Sequence, residues 1–282
     1  MTKAPKPDQI LNDTIALLRD RLPEPLESIT IESVVVGVFF TGVKLSNGYG
    51  GICFTPVDLI PESVCCTIAA SAMPYCGNMQ GVSLDKVLDH ISSPAPLVRA
   101  VLISIVNALS AWYFDICPKG TYCIEDDTDA FDIVDEIDPK KPVVVVGALW
   151  PVIHRLKQRG ASYRIFELNR NALRDDELPF FVPPEMQDAA LAEAGCVVMT
   201  GATMVTGTTE DLLSRIPKGV QVIIGGPTIS MIPDLFFEMG VTAIGGDIVT
   251  DPDSLLTTIM QGGSGYHFFG KSARKILIRK AC

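Results

Sequence analysis

The chain has 282 residues, 48% of them hydrophobic and 20% charged, with a formal charge of −10 and a pI near 4.8. That length predicts two domains, and the apolar content predicts buried cores rather than disorder. The acidic balance argues against binding nucleic acid, for which no basic face is visible.

Basic residues at the start, Lys3 and Lys6, are followed by no apolar run, so a signal peptide is not expected and the protein reads as cytoplasmic. Eight cysteines (53, 65, 66, 76, 117, 123, 196 and 282) contain no C-x-x-C pair and read as reduced thiols. Their spacing fits no zinc pattern, so no structural zinc is expected; Cys65, Cys66 and Cys76 form the nearest approach to a thiol cluster.

In chain order, residues 8–22 carry Ile10, Leu11, Ile15, Leu18 and Leu22 at helical spacing, with Asp8 placed to cap the helix and Pro23 to stop it. Two β-rich runs, 29–45 and 50–55, flank Asn47-Gly48, a pair that accepts the positive φ of a tight hairpin. A short helix at 83–91 and a long apolar one at 95–115 complete an α+β unit. The apolar stretch 100–114 is shorter than the roughly 20 residues of a membrane span. Asn107 and two serines interrupt it, so it reads as a core helix and no membrane is expected as a partner. Residues 118–141 concentrate acid (Asp126, Asp127, Asp129, Asp132 among others) with little apolar periodicity, and read as a solvated linker between domains.

From Pro142 onward, short Val/Ile runs at 143–146, 163–168, 196–200, 220–224 and 241–244 alternate with helices starting near Pro151, Glu185, Thr209, Pro233 and Pro252. Continuous apolar strands separated by helices predict a mostly parallel, doubly wound α/β sheet, with 275–279 as a sixth strand. The domain boundaries are therefore set at 1–117 and 142–282.

In such a sheet ligands bind beyond the carboxyl ends of the strands, where strand order reverses. The loops there supply the candidate site. Gly147, Leu149 and Trp150 precede Pro151, which suits the first helical position and puts Trp150 at an N-cap with no side-chain acceptor. Thr208 with Asp211 reads as a capping-box variant, and Asp251-Pro252 as a cap followed by the first helical residue. An anionic or polar ligand group near Trp150 and a water-capped surface helix are equally compatible with that start. Glu167 and Asn169 end the second strand, where dinucleotide enzymes hold an acid, but the G-x-G-x-x-G loop is missing and NAD is not expected. Thr200, Gly201, Thr203, Thr206, Gly207 and Thr208 form a hydroxyl-rich loop, and Gly225, Gly226, Pro227 and Thr228 a second. Gly246 and Asp247 lie at the end of the fifth strand, and Lys44, near the hairpin turn, is a candidate to close the site. His90, His154 and His267 are isolated, and no G-x-S-x-G elbow is present.

Together these motifs carry a resemblance. Val143 to Pro151 (VVVVGALWP) with Arg164-Ile165-Phe166-Glu167, and Thr200 to Thr208 followed by Glu210-Asp211-Leu212-Leu213, resemble the Rossmann-like domain of the heavy-metal chelation family. So do Gly225-Gly226-Pro227-Thr228, Pro233-Asp234-Leu235-Phe236, Gly240-Val241 and Gly246. Thr41-Gly42-Val43-Lys44, the Asn47–Gly51 turn and Val106-Asn107-Ala108-Leu109 resemble its enolase-N-terminal-like domain. The resemblance covers nearly the whole chain and implies a pocket between the two domains for a heavy metal or metal chelate. Thr206, Ile229-Ser230 and Ala148-Leu149-Trp150 depart from the usual family pattern. Three functional classes stay open: a binding protein for a small molecule or metal chelate, an enzyme acting on such a compound, and a non-catalytic partner subunit. The expected cofactor is a heavy or transition metal carried as a chelate, with no organic cofactor identified, and a homodimer is kept open as the assembly.

Overall fold

The structure is a computed structural model that describes residues 9–59, 73–138 and 140–280. Helix α1 (Gln9–Arg21) buries Ile10, Leu11, Ile15 and Leu18, the stripe visible in the sequence; Asp8 lies outside the described residues. Strands β1 (Ile31–Val36), β2 (Phe40–Leu45) and β3 (Gly50–Phe54) form an antiparallel sheet in that order. The expected hairpin is β2–β3, with Gly48 at φ 88° donating to the carbonyl of Leu45. The run 29–45, read as continuous, breaks at 37–39, where Gly37 donates to Phe40 and packs beneath Ile259.

After helix α2 (Leu84–Leu88), helix α3 (Pro96–Ile116) is the spine of the molecule. Among the described residues it has the length and apolarity of a membrane span, but 89% of its most apolar window is buried inside the protein. It packs on β2 and β3 on one side and on the second sheet's helices on the other.

The second sheet has seven strands. β5 (Val143–Val146), β6 (Tyr163–Phe166), β7 (Cys196–Thr200), β8 (Gln221–Gly225) and β9 (Ala243–Val249) are parallel in the order β6-β5-β7-β8-β9. The expected sixth strand is present as β10 (Ala273–Lys280), antiparallel to β9. The segment read as a linker is instead structured: β4 (Tyr122–Asp126) pairs with β10 at the sheet edge, and a 3-10 helix covers Ala130–Glu136. Its acids are matched by the basic last strand, Arg274 with Asp126, Lys275 with Asp129, and Arg279 with Glu125 at 3.5 Å. A charge run whose partners lie some 150 residues away looks solvated in one dimension.

Alternate strand residues face opposite layers. Val144, Val146, Val197, Met199 and Ile224 share one core with α1 and α3, whereas Val143, Val145, Val198 and Ile223 pack against the 3-10 helix and α4 (Trp150–Gln158). Both faces are covered, which is why the strands read as uninterrupted apolar runs. The remaining helices are α5 (Gln187–Glu193), α6 (Thr203–Thr206), α7 (Thr209–Arg215), α8 (Asp234–Glu238), α9 (Pro252–Met260) and α10 (Gly265–Phe268).

Candidate functional site

Strand order reverses between β5 and β7, the position where doubly wound sheets open a crevice. Gly147 and Thr200 meet there: Gly147 has φ 99°, and a Cβ on it would lie 2.7 Å from Thr200 Cγ2. Helix α4 then begins with Leu149, not Trp150, at the N-cap, and no side chain caps it. The Trp150 N–H turns back to the Ala148 carbonyl at 2.9 Å. The indole is half-exposed but already engaged, stacked on His154 at 5.0 Å with the Arg174 guanidinium 4.9 Å from its centroid. On the adjoining loop, Glu167 accepts from the Asn169 N–H and Asn169 from the Asn171 N–H, so both side chains brace local turns.

The hydroxyl-rich segment folds as α6 and satisfies itself. Thr203 donates to the Thr200 carbonyl, Thr206 to the Thr203 carbonyl, Thr209 to Thr203, and the hydroxyls of Thr206 and Thr208 share a hydrogen bond. Thr208 has helical dihedrals and makes no cap bond, unlike the expected capping box, whereas Asp251 caps α9 through Ser254 as read. Arg99 of α3, buried, donates to the carbonyls of Met204 and Val205 and anchors α6 onto the core. Beside it lies a shallow surface recess lined by Thr203, Met204, Gly207, Thr209 and Glu210, too tight to enclose a ligand as it stands.

The loop after β8 is joined to the N-terminal half. Asn107 Nδ2 donates to the carbonyls of Ile52 (2.8 Å), Pro227 (3.1 Å) and Thr228 (3.1 Å), and the Phe54 N–H donates to Thr228 Oγ1 at 3.0 Å. Ser110 accepts from the Ile232 N–H. Asn107 Oδ1 is buried without a partner. Cys53, fully buried in the same seam, has its thiol pushed well above the ordinary value by burial, with the Thr228 hydroxyl opposing.

Asp247 is 5% exposed, its Oδ1 is without a partner, and burial pushes its carboxyl up to about 7, with Lys275 lowering it and Asp129 raising it. Lys44 is paired with Glu32 at 2.8 Å and, in the first turn of α9 beyond the end of β9, with Asp253 at 2.9 Å. The glycine-rich edge is also largely filled by the protein itself. The space a side chain would need is taken by Ile229 at Gly201, Phe131 at Gly225 and Ser230 at Gly246, while Gly226, at φ 116°, faces open space. Asn107, Arg99, Phe131 and Ser230 are the residues missing from the sequence-derived site. For Asn107 the signal was its polarity inside an apolar helix, at a three-residue spacing from Ser104 and Ser110.

Among the described residues, no group of three or more His, Cys, Asp or Glu is placed to hold a metal ion. Cys65 and Cys66, which with Cys76 come nearest to a thiol cluster in the sequence, lie outside the described residues. Cys196 is buried in β7, its thiol pushed up to about 12 by desolvation.

Two family profiles, both described as "Putative heavy-metal chelation", match residues 19–110 and 129–278. The chain belongs to this family. An uncharacterized protein of Methanocaldococcus jannaschii is 26% identical over 203 residues, 70% of this chain and 74% of the relative. Two solved structures of DUF364-family proteins of unknown function share the fold. One, from Pyrococcus horikoshii, aligns at TM-score 0.69 and 19% identity over 96% of this chain and 98% of that one. The other, from Desulfitobacterium hafniense, aligns at TM-score 0.71 and 17% identity over 97% and 99%.

Proposed function

We propose that this member of the heavy-metal chelation family binds an anionic metal chelate, or a small anionic molecule of that kind, in the cytoplasm at the carboxyl edge of its sheet. The observation that carries the reading is the start of α4: an uncapped helix begins beside the strand-order reversal, with Arg174 stacked on Trp150. An N-terminus without a side-chain acceptor favours an anion, by roughly 0.3–1 kcal/mol at an exposed site. A fixed guanidinium there, in a chain of formal charge −10, adds local positive potential. The donor chemistry at this edge is main-chain N–H and guanidinium, suited to the organic shell of a chelate rather than to a bare ion. Gly226 extends the approach on the far side of Thr200.

The test is calorimetric titration of a metal–citrate complex, of free citrate and of the free metal ion into wild type, Arg174→Ala and Gly226→Val. Binding of the complex, weakened roughly tenfold or more in Arg174→Ala, is the expected result. Unchanged affinity in both variants removes this edge as the site. The hydrogen-bonded seam at Asn107 and Thr228 favours a second reading, a rigid partner subunit, under which the same substitutions are silent in binding and in any assay of the complex.

A further inference from the structure

Asp247 and Lys275 are direct register partners on β9 and β10, so both side chains leave the sheet on one face. That face is covered by the 3-10 helix 130–136, whose cap residue is Asp129. Asp129 is bound in two directions: one oxygen accepts from the Phe131 N–H at 2.9 Å, and the other is paired with the Lys275 ammonium, which also stands 5.6 Å from the Phe269 ring centroid. Phe131 in turn fills the space at Gly225, where a Cβ would lie 2.5 Å from its ring. Asp247 sits within this cluster, with Oδ1 enclosed and unpartnered. β8 ends at Gly225 and the turn 227–230 offers only Ser230, whose hydroxyl accepts the Asp247 N–H at 2.7 Å; β4, paired with β10 on its other side, adds Glu125, which is engaged by Arg279, and Asp127, whose N–H donates to the Lys275 carbonyl at 2.9 Å.

We propose that Asp247, Lys275 and Asp129 form a proton-operated latch, in which the ionisation of Asp247 draws Lys275 away from Asp129 and loosens the 3-10 helix that seats Phe131 on the sheet edge. With Asp247 protonated, one ammonium neutralises one carboxylate and the cap at Asp129 is held. With Asp247 charged, two carboxylates compete for one ammonium. The Asp247 carboxylate, 5% exposed and with Oδ1 enclosed and unbonded, gains more from the cation than the partly exposed Asp129 does. The burial that raises the Asp247 carboxyl places this exchange near neutral pH. The latch stands on the chain's own contacts and does not depend on the ligand reading.

Hydrogen–deuterium exchange of the full chain tests it, with rates corrected for the intrinsic effect of pH. Between about pH 6 and about pH 8 the ionised fraction of a group titrating near 7 rises about tenfold. Protection of the 130–136 segment in wild type is expected to fall up to roughly tenfold over that range. Asp247→Asn, which keeps the shape and removes the charge, should hold its protection at both pH values. Lys275→Met, at a half-exposed position, should be poorly protected at both. Equal protection of wild type at the two pH values overturns the proposal, as does a pH response retained in either variant.

Discussion

The side-chain amide of Asn107 donates to the carbonyl of Thr228 at 3.1 Å, tying the long core helix to the turn that leaves β8. The same nitrogen serves Ile52 and Pro227, so one buried group satisfies carbonyls from both halves of the chain. Asn107→Leu removes that donor from all three carbonyls, of which Pro227 keeps the Ser230 hydroxyl at 2.8 Å. It is expected to cost about 2–4 kcal/mol, read as a lower midpoint in urea denaturation at unchanged slope.

Phe131 and Gly225 occupy complementary space. Gly225→Ala forces a methyl against the ring and is expected to destabilise by about 1–3 kcal/mol. In a Phe131→Ala background the methyl has room, and most of that cost should vanish. A double-mutant cycle on thermal unfolding measures the coupling; additivity within about 0.5 kcal/mol would show that the two positions do not interact.

Asp247 makes stability depend on pH with a definite sign. Its folded-state carboxyl is raised to about 7, so its protonated form favours the folded chain at low pH. That contribution is complete below the ordinary carboxylate value and is lost as pH rises toward and through 7. Asp247→Asn is therefore expected to be near neutral at about pH 4 and stabilising above pH 7, by about 2–4 kcal/mol, in denaturation curves taken across that range.

The architecture of the second sheet was legible because its strands are buried on both faces. Val143–Val146 and Cys196–Thr200 stand out as apolar runs between helices, and turn chemistry marked Gly48 and Asp251. The site was much less legible. Lys44 looked free because Asp253, one of its partners, is 209 positions away. Gly201, Gly225 and Gly246 looked like room for a ligand because nothing local shows that Ile229, Phe131 and Ser230 use that room. The threonines between Thr200 and Thr209 advertised donors and acceptors, but short-range bonds within α6 and its flanks absorb them. Sequence patterns report burial and backbone conformation well; they do not report which side chain a distant segment presses into a gap.

Arg21 of α1 carries the last expectation. Its guanidinium donates to Asp234 at 2.8 Å and to the Tyr122 hydroxyl at 3.1 Å, and its centre lies 5.5 Å from the Tyr113 ring centroid. Tyr122 donates to the other Asp234 oxygen, so α1, β4 and α8 meet on one carboxylate, with Tyr113 of α3 against the arginine. Burial alone would raise the Asp234 carboxyl, but the bonds from Arg21 and Tyr122 outweigh it and hold the group below its ordinary value. A depressed carboxyl contributes stability above the ordinary carboxylate range and loses it as pH falls through the lower folded-state value. Arg21→Met keeps the stem over Tyr113 and removes the donors. It should cost about 1–3 kcal/mol at neutral pH, and the gap to wild type should begin to narrow below about pH 4 and close once pH falls below the depressed folded-state value of Asp234. Urea midpoints for the two proteins at neutral and acid pH decide it, and a gap of constant size would mean that the arginine acts through packing alone.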